Sequence, residues 1–142
     1  MEKRNFNGVQ ISQSVMIVEK AGAEIEDVRN RIMAYDKVGN VILAADGLAV
    51  PVGVALIDSG VNDISGTESG KVNAGNDVDI QIKDIGDILA GGDMAKGEEV
   101  TASDGLAVKA EAGNYVVGIA LSAAAKDDYC RVQIAKYQKS VN

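Results

Sequence analysis

The chain has 142 residues, of which 46% are hydrophobic and 25% charged, with 21 acids against 14 bases and a net charge of −7. That length and composition suit one globular domain with a core of Val, Ile, Leu and Ala, and exclude a disordered chain. The acidic field excludes phosphate backbones and anionic lipid as partners, and with one cysteine and no histidine there is neither an internal disulfide nor a Ser–His–Asp or Cys–His centre.

Residues 1–10 are polar and predict a flexible N-terminal arm ahead of a single β domain over residues 11–142. The opening lacks the apolar run of a signal peptide, which predicts synthesis in the cytoplasm. Ile11 to Val18 reads as a strand. Ile25, Val28, Ile32 and Tyr35 then sit at helical spacing and predict one short helix over residues 23–35, but Arg29 to Ala34 reads equally well as a strand. The longest apolar run, residues 48–57, is broken by Gly53, stopped by Asp58 and too short to span a bilayer.

From about residue 39 the chain repeats itself. Asp46-Gly47-Leu48-Ala49-Val50 recurs as Asp104-Gly105-Leu106-Ala107-Val108, and Asp-Gly between apolar stretches signals a hairpin. Val52-Gly53-Val54-Ala55-Leu56 returns as Val117-Gly118-Ile119-Ala120-Leu121. Val78-Asp79-Ile80-Gln81-Ile82 returns as Cys130-Arg131-Val132-Gln133-Ile134, each with the period-two alternation of a half-buried strand. The pseudo-repeats span about 39–86 and 97–137. They predict an all-β or mainly β fold, a small barrel or sandwich of two related β units. In the VGVAL and VGIAL segments one face is large and the other small, as in a strand covered on both sides or one approached closely by another backbone. A subunit interface at Gly53, Ala55, Gly118 and Ala120 satisfies that pattern, and so does a tightly curved barrel.

The chain carries little recognisable chemistry. Residues 65–71 end in Gly-Lys, but Ser65 and Val72 break the phosphate-loop pattern. Asp58, Asn62 and Asp63 supply oxygens without the spacing of a calcium loop. Cys130 lies in a strand pattern and reads as a buried hydrophobe. Met94-Ala95-Lys96 is similar to the biotinyl lysine of a carrier domain, but Lys96 precedes a strand and is not at a hairpin tip. No cofactor, metal or catalytic residue is assigned, and the chain is read as a non-enzyme.

The Asp-Gly … Val-Gly-Val-Ala grammar, followed by Gly86-Asp87-Ile88-Leu89-Ala90-Gly91-Gly92-Asp93, resembles the small head-decoration, or capsid cement, proteins of tailed bacteriophages over about residues 35–137. The resemblance implies a structural virion protein on the capsid surface. It implies a homotrimer that binds the major capsid protein and stabilises the head, with no nucleic acid or membrane as partner. Arg4 and Phe6 are then the arm's anchors on the capsid, as a charged donor and the chain's one phenylalanine. The other reading is a non-catalytic β binding module.

Overall fold

The computed structural model describes residues 15–56 and 70–141. The anchors Arg4 and Phe6, the arm over residues 1–10 and the oxygens of Asp58, Asn62 and Asp63 lie outside the described residues.

Ten strands are described and no helix: β1 Met16–Lys20, β2 Ile32–Tyr35, β3 Val41–Leu43, β4 Pro51–Ala55, β5 Asp77–Gln81, β6 Asp84–Leu89, β7 Glu99–Ser103, β8 Leu106–Lys109, β9 Tyr115–Ala120 and β10 Tyr129–Gln138. They form two five-stranded antiparallel sheets in the orders β1-β5-β4-β2-β3 and β6-β10-β9-β7-β8. The second order is the first with every strand advanced by five, so the chain folds the same unit twice.

The repetition extends to single hydrogen bonds. The residue after β1, Ala21, bridges in parallel to Val41 of β3, and Ala90 after β6 bridges to Ala107 of β8. Each sheet thus curls until its first and third strands meet. Gly22 N–H donates to the Val41 carbonyl and Gly91 N–H to the Ala107 carbonyl, both at 2.8 Å. Ile25 exchanges two bonds with Val72, as Met94 does with Ala124. Asn30, at φ 60°, occupies the position of Gly97, at φ 91°; their N–H groups donate to Ala55 and Ala120 respectively.

The short helix over 23–35 does not form. Val28, Asn30 and Arg31 make a turn, with Arg31 N–H on the Val28 carbonyl, and the chain enters β2 at Ile32. The apolar residues at three- and four-residue steps are buried from three different local conformations: a bridge at Ile25, a turn at Val28 and a strand at Ile32. The strand reading of this stretch holds for its second half.

Each half encloses its own core. In the first half Ala21, Ile25, Met33, Val41, Val52, Val78 and Ile80 pack together. In the second half Ala90, Met94, Val100, Ala107, Val117, Cys130 and Val132 hold the equivalent places. Ile32, Ala34, Ala44 and Val54 join this second core from the first half, which welds the halves into one packed body. The seam is also bonded through the backbone. The β7–β8 tip enters the first half, where Gly105 N–H donates to Ala44 and Ile32 N–H donates to Gly105, and Asp104 N–H reaches Ala45. Tyr115 N–H closes the same seam on Gly47.

The two Asp-Gly motifs therefore differ in role. Asp104-Gly105 is a hairpin tip, whereas Asp46-Gly47 lies in the connection from β3 to β4, where its glycine packs against Asn114.

Candidate interaction surface

Gly53, Ala55, Gly118 and Ala120 are buried inside the chain. A Cβ at Gly53 would overlap the carbonyl oxygen of Gln81, and one at Gly118 the carbonyl oxygen of Gln133. The close backbone approach that their size predicts is met within the chain. This corrects the subunit-interface reading of these four residues, since buried groups offer no surface to a second copy. Cys130 is buried too; burial pushes its thiol pKa up, and its Sγ faces the Ser122 carbonyl. Among the described residues no group of three or more His, Cys, Asp or Glu side chains could hold a metal ion, and no helix is long and apolar enough to cross a membrane.

A groove of about 430 Å³ lies on the seam, lined by Ile17, Tyr35, Val50, Pro51, Ile82 and Lys136 among others. A recess of about 190 Å³ continues it past Lys136 to Tyr115, Tyr137 and Gln138. Five strands and their flanks build it, with Ile82 standing one residue past β5. Ile17 comes from β1 and Tyr35 from the end of β2. Val50 and Pro51 come from the entry to β4, where proline suits a strand start because it has no N–H to donate. The tail of β10 runs beyond Ile134, where its pairing to β6 ends, and continues along β9 after a bulge. Lys136 lies in that tail, and its Nζ donates to the Val52 carbonyl at 2.7 Å, tying the second half to the first.

Two tyrosines mark the ends of this surface, and each is held by a glutamate. Tyr35 donates to Glu19. Tyr137 donates to Glu99 at 2.6 Å, while Lys139 Nζ lies 2.9 Å from the same carboxylate. These two donors hold the Glu99 carboxyl below its usual range. Partial burial and the bond to Glu99 push Tyr137 up to about 12 from an ordinary 10.0. A pKa raised in the folded state contributes stability that is complete below pH 10 and is lost as pH rises through about 12. An absorbance titration of the phenolates should therefore show one tyrosine ionising near pH 12. The Tyr137→Phe variant should lack that step, and a full ionisation near the ordinary value would contradict the Tyr137–Glu99 bond.

Val50 in the groove wall is 59% exposed, and Leu48, two residues earlier, is 72% exposed. Apolar side chains and tyrosines in one concave strip suit the burial of a partner's surface, not a reaction. No local sequence pattern reveals this strip, because it is assembled from five strands and their flanks. Its one local signal is the pair Leu48 and Val50, apolar residues outside any strand.

No protein-family model matches the chain, and no curated protein is similar to it. Among solved structures, the crystal structure of the head fiber gp8.5 N base in bacteriophage phi29 is similar, with a TM-score of 0.62 at 21% sequence identity. The similarity covers 87% of this chain and 95% of that one. The doubled five-stranded unit described above is thus a fold that this chain shares with a phage head protein.

Proposed function

We propose that the protein is a structural virion component, a decoration or cement protein that binds the outer face of a phage head and stabilises it. The observation that carries this reading is the nearly end-to-end likeness to a head fiber base. The apolar groove supports it, as does a chain without histidine. In this reading the protein works without catalysis or a cofactor, and its partners are the major capsid protein and two further copies of itself. Because the neighbour is named as the base of a fiber, attachment to the head is the part of the proposal with the closest support. Arg4 and Phe6 keep the role of head contacts.

The mechanism is mass action. A ligand that binds only the assembled shell stabilises it by its binding free energy, repeated at every site, and several contacts per particle raise the effective affinity. Light scattering of the purified protein should give about three times 14.7 kDa, and the trimer should co-sediment with empty heads. A monomer would overturn the trimer, and failure to sediment with heads would overturn the decoration role.

A further inference from the structure

The seam is a contact between unlike faces. The first half offers an acceptor face, with Ile32, Ala44 and Val54 sunk into the second core. The second half offers an inserting end, made of the β6 edge and the β7–β8 tip. Leu89 N–H, at the end of β6, donates to the Asn30 carbonyl at 3.1 Å. Gly105 in the tip packs so closely on Leu43, Arg31 and Ile32 that a Cβ there would crowd all three. A chain that folds one unit twice and joins the two head to tail carries each face a second time, outside the seam. The spare inserting end belongs to the first half and the spare acceptor face to the second.

The spare inserting end is open and apolar. β1 is an edge strand of its sheet, as β6 is. Met16 faces Gln81 across the ladder as Ile85 faces Gln133, and both Met16 and Val18 are exposed. The β2–β3 connection carries Val38 at its tip, 80% exposed.

The spare acceptor face has a different chemistry, and strand register fixes the comparison. Ile32 is opposite Val54 as Glu99 is opposite Ile119, and Met33 is opposite Leu43 as Val100 is opposite Lys109. Ala44 N–H donates to the Ile32 carbonyl and Ala110 N–H to the Glu99 carbonyl, both at 2.9 Å. Glu99 therefore stands in the place of Ile32, and Lys109 in the place of Leu43. Two charges replace the two apolar residues that seat the tip at the seam. The tail of β10 then covers the spot. Tyr137 and Lys139 both bind the Glu99 carboxylate. Lys139 Nζ also lies 3.4 Å from the Ala110 carbonyl, the counterpart of the Ala44 carbonyl that takes Gly105 N–H at the seam. The tail's backbone is pinned to the turn before β9, with Lys139 N–H on the Asn114 carbonyl and Gly113 N–H on the Lys139 carbonyl. β5 has no such tail. It ends at Gln81, whereas β10 runs past the equivalent Gln133 to Gln138.

We propose that the β10 tail, with Glu99 and Lys109 beneath it, is an end cap that closes this acceptor face to the first-half end of a second copy of the chain. Stacked units need a polar, covered terminal face if they are to stop at a fixed number. Without the cap each copy would insert its β1 edge and Val38 tip into the next, a contact between unlike faces that repeats until a ring closes or a filament grows. The inference stands apart from the trimer and head-binding readings, because it concerns growth beyond whatever assembly the parent forms.

The test opens the cap in the full chain. Glu99→Ile and Lys109→Leu restore the residues of the seam, and Lys139→Pro removes the tail's N–H and its ammonium donor. Light scattering of this triple variant at rising concentration should give a mass roughly double the parent's or more. Adding Val38→Asp should return it to the parent's mass, and Val38→Asp alone should leave the parent's mass unchanged. Lys139→Pro by itself loosens the tail without touching the strands, so it serves if the triple variant fails to fold. It should grow at higher concentration, again reversed by Val38→Asp. The parent's mass in both opened proteins would overturn the cap. Growth that Val38→Asp does not reverse would overturn it too, since association would then run through another surface. A monomeric parent would refute the trimer and leave this comparison intact.

Discussion

Gly53→Ala and Gly118→Ala should each cost about 3 kcal/mol of folding stability, the upper end of what one added methyl costs in a packed interior. The reason is geometric. At both sites the new Cβ would overlap a backbone carbonyl oxygen of the neighbouring strand, Gln81 or Gln133. A flexible side chain could turn aside, but a carbonyl in a sheet cannot move without displacing the ladder it belongs to. The strands concerned, β4 and β9, are the middle members of their sheets, so the displacement would spread to both neighbours. With a total stability of roughly 5–15 kcal/mol for a small protein, the double variant should fail to fold. Gly92→Ala is the control, since its nearest neighbour would be 4.0 Å away at Val108; it should stay within about 1 kcal/mol of the parent. Urea unfolding followed by circular dichroism measures all four proteins. Equal midpoints for Gly53→Ala, Gly118→Ala and Gly92→Ala would contradict the packing described for β4 and β9.

The second large effect is expected at the tip that joins the halves. Gly105 has φ 80°, a conformation that costs a side-chain-bearing residue about 1–2 kcal/mol. Its Cβ would also stand 2.9 Å from Leu43 Cδ2 and 3.2 Å from Arg31 Cβ, in the first half. The conformational cost and the crowding together should take about 3 kcal/mol in Gly105→Ala. They should also loosen the three backbone bonds that seat the tip on Ile32, Ala44 and Ala45. Gly39→Ala separates the two causes. Gly39 has φ 92° with nothing within 4 Å of its Cβ, so it should lose only about 1 kcal/mol. In Gly105→Ala the halves should also lose their shared transition, with the Cys130 thiol of the second half exposed at a different urea concentration from that of the circular-dichroism change. A single coincident transition at the parent's midpoint would contradict the seam.

The parts of this fold legible in the sequence were those with a local cause. Val78 and Ile80, like Cys130, Val132 and Ile134, alternate with polar neighbours because β5 and β10 each bury one face, and period two records that directly. The VGVAL and VGIAL match marked two equivalent strands, and its glycines sit against equivalent carbonyls. Other parts were hidden by loop length. The offset between halves is 69 at Ala21 and Ala90 (90 − 21), 65 at Gly53 and Gly118 (118 − 53) and 52 at Gln81 and Gln133 (133 − 81). The largest change falls between β4 and β5, the stretch that includes residues 57–69. No single offset aligns the halves, so no literal match marks the Ala21-Gly22 and Ala90-Gly91 bridges, while the longest literal match, at 58 (104 − 46), joins two Asp-Gly motifs with different structural jobs. Residues 23–35 misled for another reason. Burial every third or fourth residue signals a helix only if the backbone between is regular, and here a turn with Asn30 at positive φ intervenes. The groove draws on residues from both halves, and its assembly depends on the seam, which no local pattern encodes.

The most direct test of the account is immunogold electron microscopy of intact virions with an antibody against this protein. Gold should lie over the outer surface of the head on most particles, and pre-absorbing the antibody with purified protein should remove that label. Virions without label on the head, with the protein recovered only in the fraction free of particles, would contradict it.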